Sequence, residues 1–201
     1  MEIKDFEEQA KSLREISAIP QVDVPLVIVP DARAVLVRGI QWAVGEGKAA
    51  WLPEYEEVAT WLACSGGKGL LLAGSCGRGK TLLATLVIPT ILRYYAQKVI
   101  YCYAASAITP KELTECMTRK LVCIDDIGTE GVLNSYGNKI QVVPAIVDEA
   151  ERTGKLLLLT TNMGGKDILA KYGMRTADRL RGLCRIVEFA GDSLRGRVNN
   201  G

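Results

Sequence analysis

The chain of 201 residues contains no histidine, and its six cysteines (Cys64, Cys76, Cys102, Cys116, Cys123 and Cys184) include no CxxC pair. Zinc sites are built from cysteine and histidine at short spacings, so no zinc site is expected. Long apolar runs are also missing. Leu70 to Ala73 and Leu156 to Leu159 are typical of those present, far short of the roughly 20 residues a membrane-spanning helix requires. The opening MEIKDFEEQAK is acidic and lacks the basic and then apolar stretch of a secretory signal. There is no internal repeat and no low-complexity tract. These absences point to a cytoplasmic protein with no membrane partner. In a reducing compartment free cysteines behave as small hydrophobes, so its thiols are expected to be reduced and mostly buried.

What remains is the composition of one soluble globular domain, 48% hydrophobic and 24% charged, able to bury a real core. The net charge of +2 conceals an asymmetry: residues 1–60 hold 6 basic and 11 acidic groups, whereas residues 165–201 hold 8 basic and 4 acidic. A basic C-terminal segment suits nucleic acid, nucleotide phosphates or plain solvated surface, while the acidic N-terminal part is a poor DNA surface.

Along the chain, Ile3, Phe6, Ala10, Leu13 and Ile16 recur at helical spacing with charged residues between them, which predicts an amphipathic helix. Residues 19–30 contain three prolines around VDVPLVIV and read as a linker with a short extended piece. Asp31 is placed to cap a helix running to about Val44, stopped by Gly45 and Gly47. Another helix is expected from Pro53, with Glu54, Glu56 and Glu57 in its first turn. Beyond Ser65-Gly66-Gly67 the pattern alternates: strand GLLLAG, a Gly-rich turn, a helix from Thr81 to Tyr95, strand KVIYCYA, a short helix after Thr109, strand RKLVCIDD, a helix ending near Arg152 with Pro144 in its first turn, and strand KLLLLTTN. Alternating β and α elements with continuously apolar strands imply a parallel sheet covered by helices on both faces. The division is residues 1–52 as a helical N-terminal extension and linker, and 53–201 as the α/β domain.

Three strand ends carry the chemistry. Gly74-Ser75-Cys76-Gly77-Arg78-Gly79-Lys80-Thr81 fits G-x-x-x-x-G-K-[ST] between a strand and a helix. Such a loop turns its N–H groups and the positive end of the following helix toward phosphate oxygens. Lys80 then reaches the β and γ phosphates of ATP, and Thr81 ligates Mg²⁺. Leu121 to Asp126 is a buried strand that delivers two carboxylates at its C-terminal end. Asp125 would hold Mg²⁺ through water and Asp126 would polarise the attacking water, with Glu130 a rival for the second role. The third strand ends in Thr160-Thr161-Asn162, polar groups able to hydrogen-bond a water or the γ phosphate, or to begin a loop or helix cap. After it, Arg175 and Arg179 share a face if YGMRTADRLRG is helical. They can neutralise a transferring phosphoryl group, pair with a carboxylate such as Asp178, or bind DNA phosphate.

Taken in order, GSCGRGKT, LVCIDDIG, LLLLTTN, RTADRLRG and DSLRGR resemble Walker A, Walker B, sensor 1, the arginine-finger region and the closing arginine motif of the DnaC and IstB group of AAA+ ATPases. That group comprises bacterial and phage helicase loaders and transposition regulators related to the initiator DnaA. The resemblance runs from about Tyr55 to Arg197 and implies a P-loop AAA+ fold of three layers. It further implies an ATPase with Lys80 and Thr81 on phosphate and magnesium, Asp125 and Asp126 as the Walker B pair, and Asn162 as sensor. Arg175 and Arg179 are its finger candidates, and Arg195 or Arg197 would approach the nucleotide from the chain's end. The function implied is that of an ATP-dependent DNA replication protein that loads a replicative helicase and self-associates through shared ATP sites, with single-stranded DNA a further possible partner. An IstB-like transposition ATPase and a nucleotide-gated adaptor with little turnover are the alternatives. Only Ala105 to Thr118 separate two of the strands, fewer residues than the loaders use for DNA-contacting helices there.

Overall fold

The computed structural model describes residues 22–135 and 138–194 and, near the N-terminus, residues 4, 5, 8, 9, 11 and 12. The apolar runs of the sequence become strands β1 (Gly69–Gly74), β2 (Tyr101–Ala104), β3 (Leu121–Asp125) and β6 (Leu156–Thr161). With β7 (Cys184–Phe189) they form a five-stranded sheet in the order β2-β3-β6-β1-β7. Every neighbouring pair is parallel. Strand β6 therefore lies between β1, which leads into the Gly-rich loop, and β3, which ends in the two aspartates. The C-terminal ends of all three strands meet at one edge.

Helices cover both faces. On one side pack α1 (Ala32–Val44), α2 (Glu54–Ala63) and α3 (residues 80–95); on the other pack α4 (Pro110–Thr118), α5 (Val142–Thr153) and α6 (Gly165–Leu183). Strand alternation sorts the core between them: Leu70, Leu72, Cys123 and Leu158 face the first group, and Leu71, Val122, Ile124, Leu157 and Leu159 the second. Each fully buried leucine contributes about 1.5–3 kcal/mol relative to exposure, so the central strands anchor both layers. The stretch before residue 53 joins the first layer. Val27, Val29, Val35, Leu36 and Leu52 belong to the same cluster as Leu62, Leu70 and Phe189. The extended piece is stitched to the end of α2 by Val29 N–H to the Leu62 carbonyl (2.9 Å) and Ser65 N–H to the Val27 carbonyl (3.0 Å).

Several local expectations need correction. Asp31 precedes α1, but it sits in the left-handed region (φ 46°) and its side chain makes no capping hydrogen bond. Helix α3 is not uniform. Residues Leu83–Val87 form a π-turn between the α-helical pieces Lys80–Leu82 and Ile88–Tyr95. A two-stranded antiparallel hairpin, β4 (Val132–Ser135) with β5 (Asn138–Gln141), and strand β7 had no counterpart in the sequence reading. The thiols divide evenly rather than being mostly buried: Cys116, Cys123 and Cys184 are buried, and Cys64, Cys76 and Cys102 are exposed. Among the described residues no helix is long and apolar enough to cross a membrane. Ile3, Phe6, Ala10, Leu13 and Ile16, on which the amphipathic N-terminal helix rests, lie outside the described residues, as do Arg195 and Arg197.

Candidate nucleotide site

The loop from Gly74 to Thr81 leaves β1 and enters α3 with backbone angles that only glycine adopts easily. Gly74 has φ 116°, and a Cβ there would lie 2.3 Å from the Phe189 carbonyl oxygen; Gly77 has φ 76°, and a Cβ there would lie 2.0 Å from Ser193 Oγ. Both clashes come from one stretch of chain, the last residue of β7 and the residues that follow it. That chain binds the loop's outer side, through Ser75 N–H to the Phe189 carbonyl (2.8 Å) and Leu194 N–H to the Gly77 carbonyl (2.9 Å). The Ser75 amide is therefore already taken.

Lys80 is buried, with 6% of its surface accessible. Its ammonium donates to the carbonyls of Gly74 (2.8 Å) and Ser75 (2.7 Å) and to Asn162 Oδ1 (2.9 Å). Asn162 Nδ2 in turn donates to Asp126 Oδ1 (3.0 Å). Lys80, Asn162 and Asp126 thus form one hydrogen-bonded chain across the ends of three strands. Thr160 locks the neighbouring carboxylate: its hydroxyl donates to Asp125 Oδ1 (2.6 Å) and accepts from the Asp126 amide (2.7 Å). Asp126 adopts φ 58°, a left-handed conformation that Asp tolerates better than most residues. The Thr160 and Asn162 contacts hold it there. Thr81 is exposed at the first turn of α3. Cys76 is exposed in the loop.

Two residues singled out from the sequence have other occupations. The Arg78 guanidinium is turned to Glu54 of α2, with Nε and Nη2 3.1 and 2.5 Å from Oε1, and Nη1 3.4 Å from the Asp192 carbonyl. What Arg78 leaves for a phosphate is its backbone N–H. Both side chains of the pair are about nine-tenths buried. Glu130, the rival water activator, accepts from the Gly128 amide (2.7 Å) and from the Tyr172 hydroxyl (2.6 Å), so its two oxygens fasten the loop after β3 to α6. Burial and this carboxylate push the Tyr172 hydroxyl's pKa well up.

Arg175 and Arg179 lie together on α6, beyond a kink at Gly173 (φ 80°). Within the chain both pair with α5. Arg175 Nη2 is 3.3 Å from Asp148 Oδ2, and Arg179 bonds Asp148 through Nη1 and Glu151 through Nε, the latter at 2.5 Å. The partner is not Asp178. The Arg175 side chain is 73% exposed and that of Arg179 19%. The Glu54 link to the loop is the site feature that the sequence did not signal, because a contact across 24 residues has no local periodicity.

The donor set suits a nucleoside triphosphate with a hard divalent cation. It offers a buried ammonium among loop carbonyls, amides at a helix start, a hydroxyl at Thr81, and an aspartate held by a threonine. No protein-family model matches the chain, and no curated protein matches it either. Solved structures do. The DnaC helicase loader superposes with TM-score 0.50 at 18% identity, covering 62% of this chain and 79% of that one. DnaI superposes with TM-score 0.50 at 17% identity, covering 90% and 91%. At these identities the likeness establishes the fold alone, an α/β P-loop fold.

Proposed function

We propose that this protein binds ATP with Mg²⁺, hydrolyses it, and acts as a replicative helicase loader. The observation that carries the nucleotide reading is the continuous hydrogen-bonded chain Lys80–Asn162–Asp126 beside the Thr160-held Asp125. In it the loop cation and the two carboxylates are fixed relative to one another by hydrogen bonds. Magnesium bound between Thr81 and Asp125 would supply charge neutralisation of the phosphates. Lys80 exchanges its loop carbonyls for the β and γ phosphate oxygens, and the amides of residues 76–81 hold the chain of phosphates. Asp126 accepts a hydrogen bond from the attacking water and orients it, while Asn162 reports the γ phosphate to Asp126 through its two amide ends. Arg175 or Arg179 of a neighbouring copy completes the charge stabilisation.

The loader reading draws on the fold shared with the structures of DnaC and DnaI and on the order of motifs in the sequence. Its test is a pull-down of a replicative helicase by this chain under ATP and under ADP. Nucleotide-dependent capture supports the assignment, and capture of a transposase in its place replaces it with the transposition reading. The nucleotide reading has its own test, ATP binding by calorimetry with and without Mg²⁺.

A further inference from the structure

The π-turn in α3 leaves one carbonyl in need of an outside donor. In Leu83–Val87 the ladder widens, and the Ile88 amide donates to Leu83, five residues back. In that register the Ala84 carbonyl falls opposite residue 89, which is Pro89 and has no N–H. The sheet supplies the donor. Cys123 Sγ lies 3.4 Å and Cys102 Sγ 4.0 Å from the Ala84 oxygen.

These two cysteines are register partners on the parallel strands β2 and β3. Neighbouring strands run about 4.8 Å apart, within the roughly 4.4–6.8 Å between Cα atoms that a disulfide spans. Because both sulfurs reach the same carbonyl, they project from the same face of the sheet. The hydrogen bond between the two thiols holds Cys102 below its ordinary pKa, against the opposing effect of burial, and together with burial pushes Cys123 well up, so Cys102 is the first nucleophile. Cys102 is exposed on the sheet's terminal strand, whereas Cys123 is buried. One thiol is therefore open to reagents, and the other is reachable only from its neighbour.

We propose that Cys102 and Cys123 form a redox-modifiable dithiol, closed to a disulfide by low-molecular-weight disulfides of the glutathione class, and that closure loosens the P-loop helix. The Cys102 thiolate attacks one sulfur of the reagent, forming a mixed disulfide and releasing one thiol. The Cys123 sulfur attacks the Cys102 sulfur, forming the Cys102–Cys123 bond, and the expelled thiolate takes up the Cys123 proton and leaves as the second thiol. The reagent is reduced to two thiols and the protein loses two hydrogen atoms. Those are the hydrogens that the two thiols offer the Ala84 carbonyl, so α3 keeps its apolar packing but loses this hydrogen bond to the sheet one turn after Lys80 and Thr81.

The experiment treats the full-length protein with oxidised glutathione under native conditions and maps its peptides by mass spectrometry, with hydrogen exchange on the same samples. The expected result is a linked peptide pair joining 102 to 123, and severalfold faster exchange across residues 80–95 that reverses on reduction. Cys123→Ser keeps a hydroxyl for Ala84 but cannot close, so it should stop at a glutathione adduct on Cys102. Cys102→Ser should leave Cys123 unmodified. Adducts without the 102–123 link in the wild-type protein, modification of Cys123 in the Cys102→Ser variant, or unchanged exchange in the closed protein would each overturn the proposal. None of these measurements depends on ATP turnover.

Discussion

At the scale of single residues, the site separates groups that look alike in sequence. Lys80 is the cation proposed to meet phosphate, and its ammonium sits among oxygens of the loop and of Asn162. Lys80→Ala is expected to abolish measurable ATP binding by calorimetry while circular dichroism stays that of the folded protein; retained affinity would refute the cradle assignment. Asp126 and Glu130 are two carboxylates five positions or fewer from the same strand end, yet their surroundings differ. Asp126 is tied to Asn162 and through it to Lys80, whereas Glu130 is occupied by Gly128 and Tyr172. Asp126→Asn should keep ATP affinity and lose roughly 10²-fold or more in turnover, the range a positioned base contributes. Glu130→Gln should hydrolyse ATP nearly normally, and the reverse pattern in phosphate-release assays would exchange the two roles. Arg78 gives a third residue-level outcome. Removing Glu54 strands a buried guanidinium, so Glu54→Ala is expected to cost about 3–5 kcal/mol in urea unfolding. The double variant Glu54→Ala/Arg78→Ala should be less damaged, and a double variant worse than the single one would show that the pair acts through something besides its charge.

At the scale of elements, what the sequence made legible follows from local signals. The P-loop announces itself because glycine, lysine and threonine at fixed spacing must follow a strand and start a helix. The buried strands announce themselves because parallel strands covered on both faces are apolar throughout. Helix α4 has the clearest local start. The Thr109 hydroxyl accepts from the Glu112 amide (3.3 Å) while the Glu112 carboxylate accepts from the Thr109 amide (2.8 Å), with Pro110 at the first position. Thr109→Ala should cost about 1 kcal/mol in chemical denaturation, and a loss near zero would mean that packing alone sets this helix. Strand β7 was hidden because it is not continuously apolar, Arg185 and Glu188 interrupting Cys184, Val187 and Phe189. The β4–β5 hairpin was hidden because its strands are four residues each. The π-turn was hidden for another reason: the helix expected from Thr81 to Tyr95 runs through Pro89, and the carbonyl that Pro89 leaves without a backbone donor is met by Cys123 and Cys102 from distant strands. The Glu54–Arg78 pair and the engagement of Glu130 share that origin, being contacts between elements rather than patterns within them.

At the scale of the whole molecule, the arginines of α6 decide whether the site is complete in one chain. Lys80, Asp125, Asp126 and Asn162 converge within one chain, but the partners of Arg175 and Arg179 are Asp148 and Glu151 of α5. For either arginine to serve a phosphoryl group, it must exchange these carboxylates for a nucleotide presented by another copy. The exposed Arg175 pair is worth about 1 kcal/mol or less, so its exchange is affordable against the roughly 10³-fold or greater acceleration an arginine finger contributes. The more exposed Arg175 is the easier to recruit, and Arg179, with two carboxylates, the harder. Arg175→Ala and Arg179→Ala should each keep ATP binding; the finger is the one whose loss removes turnover. Mixing settles whether it acts between copies. A finger-deficient protein keeps a good cradle and Lys80→Ala keeps a good finger, so a mixed assembly contains interfaces with both halves intact. Phosphate release should then rise above that of either protein alone and peak at an intermediate ratio, once light scattering has shown that both variants associate under ATP. If they associate and no ratio restores hydrolysis for either arginine variant, the site does not draw an arginine from its neighbour.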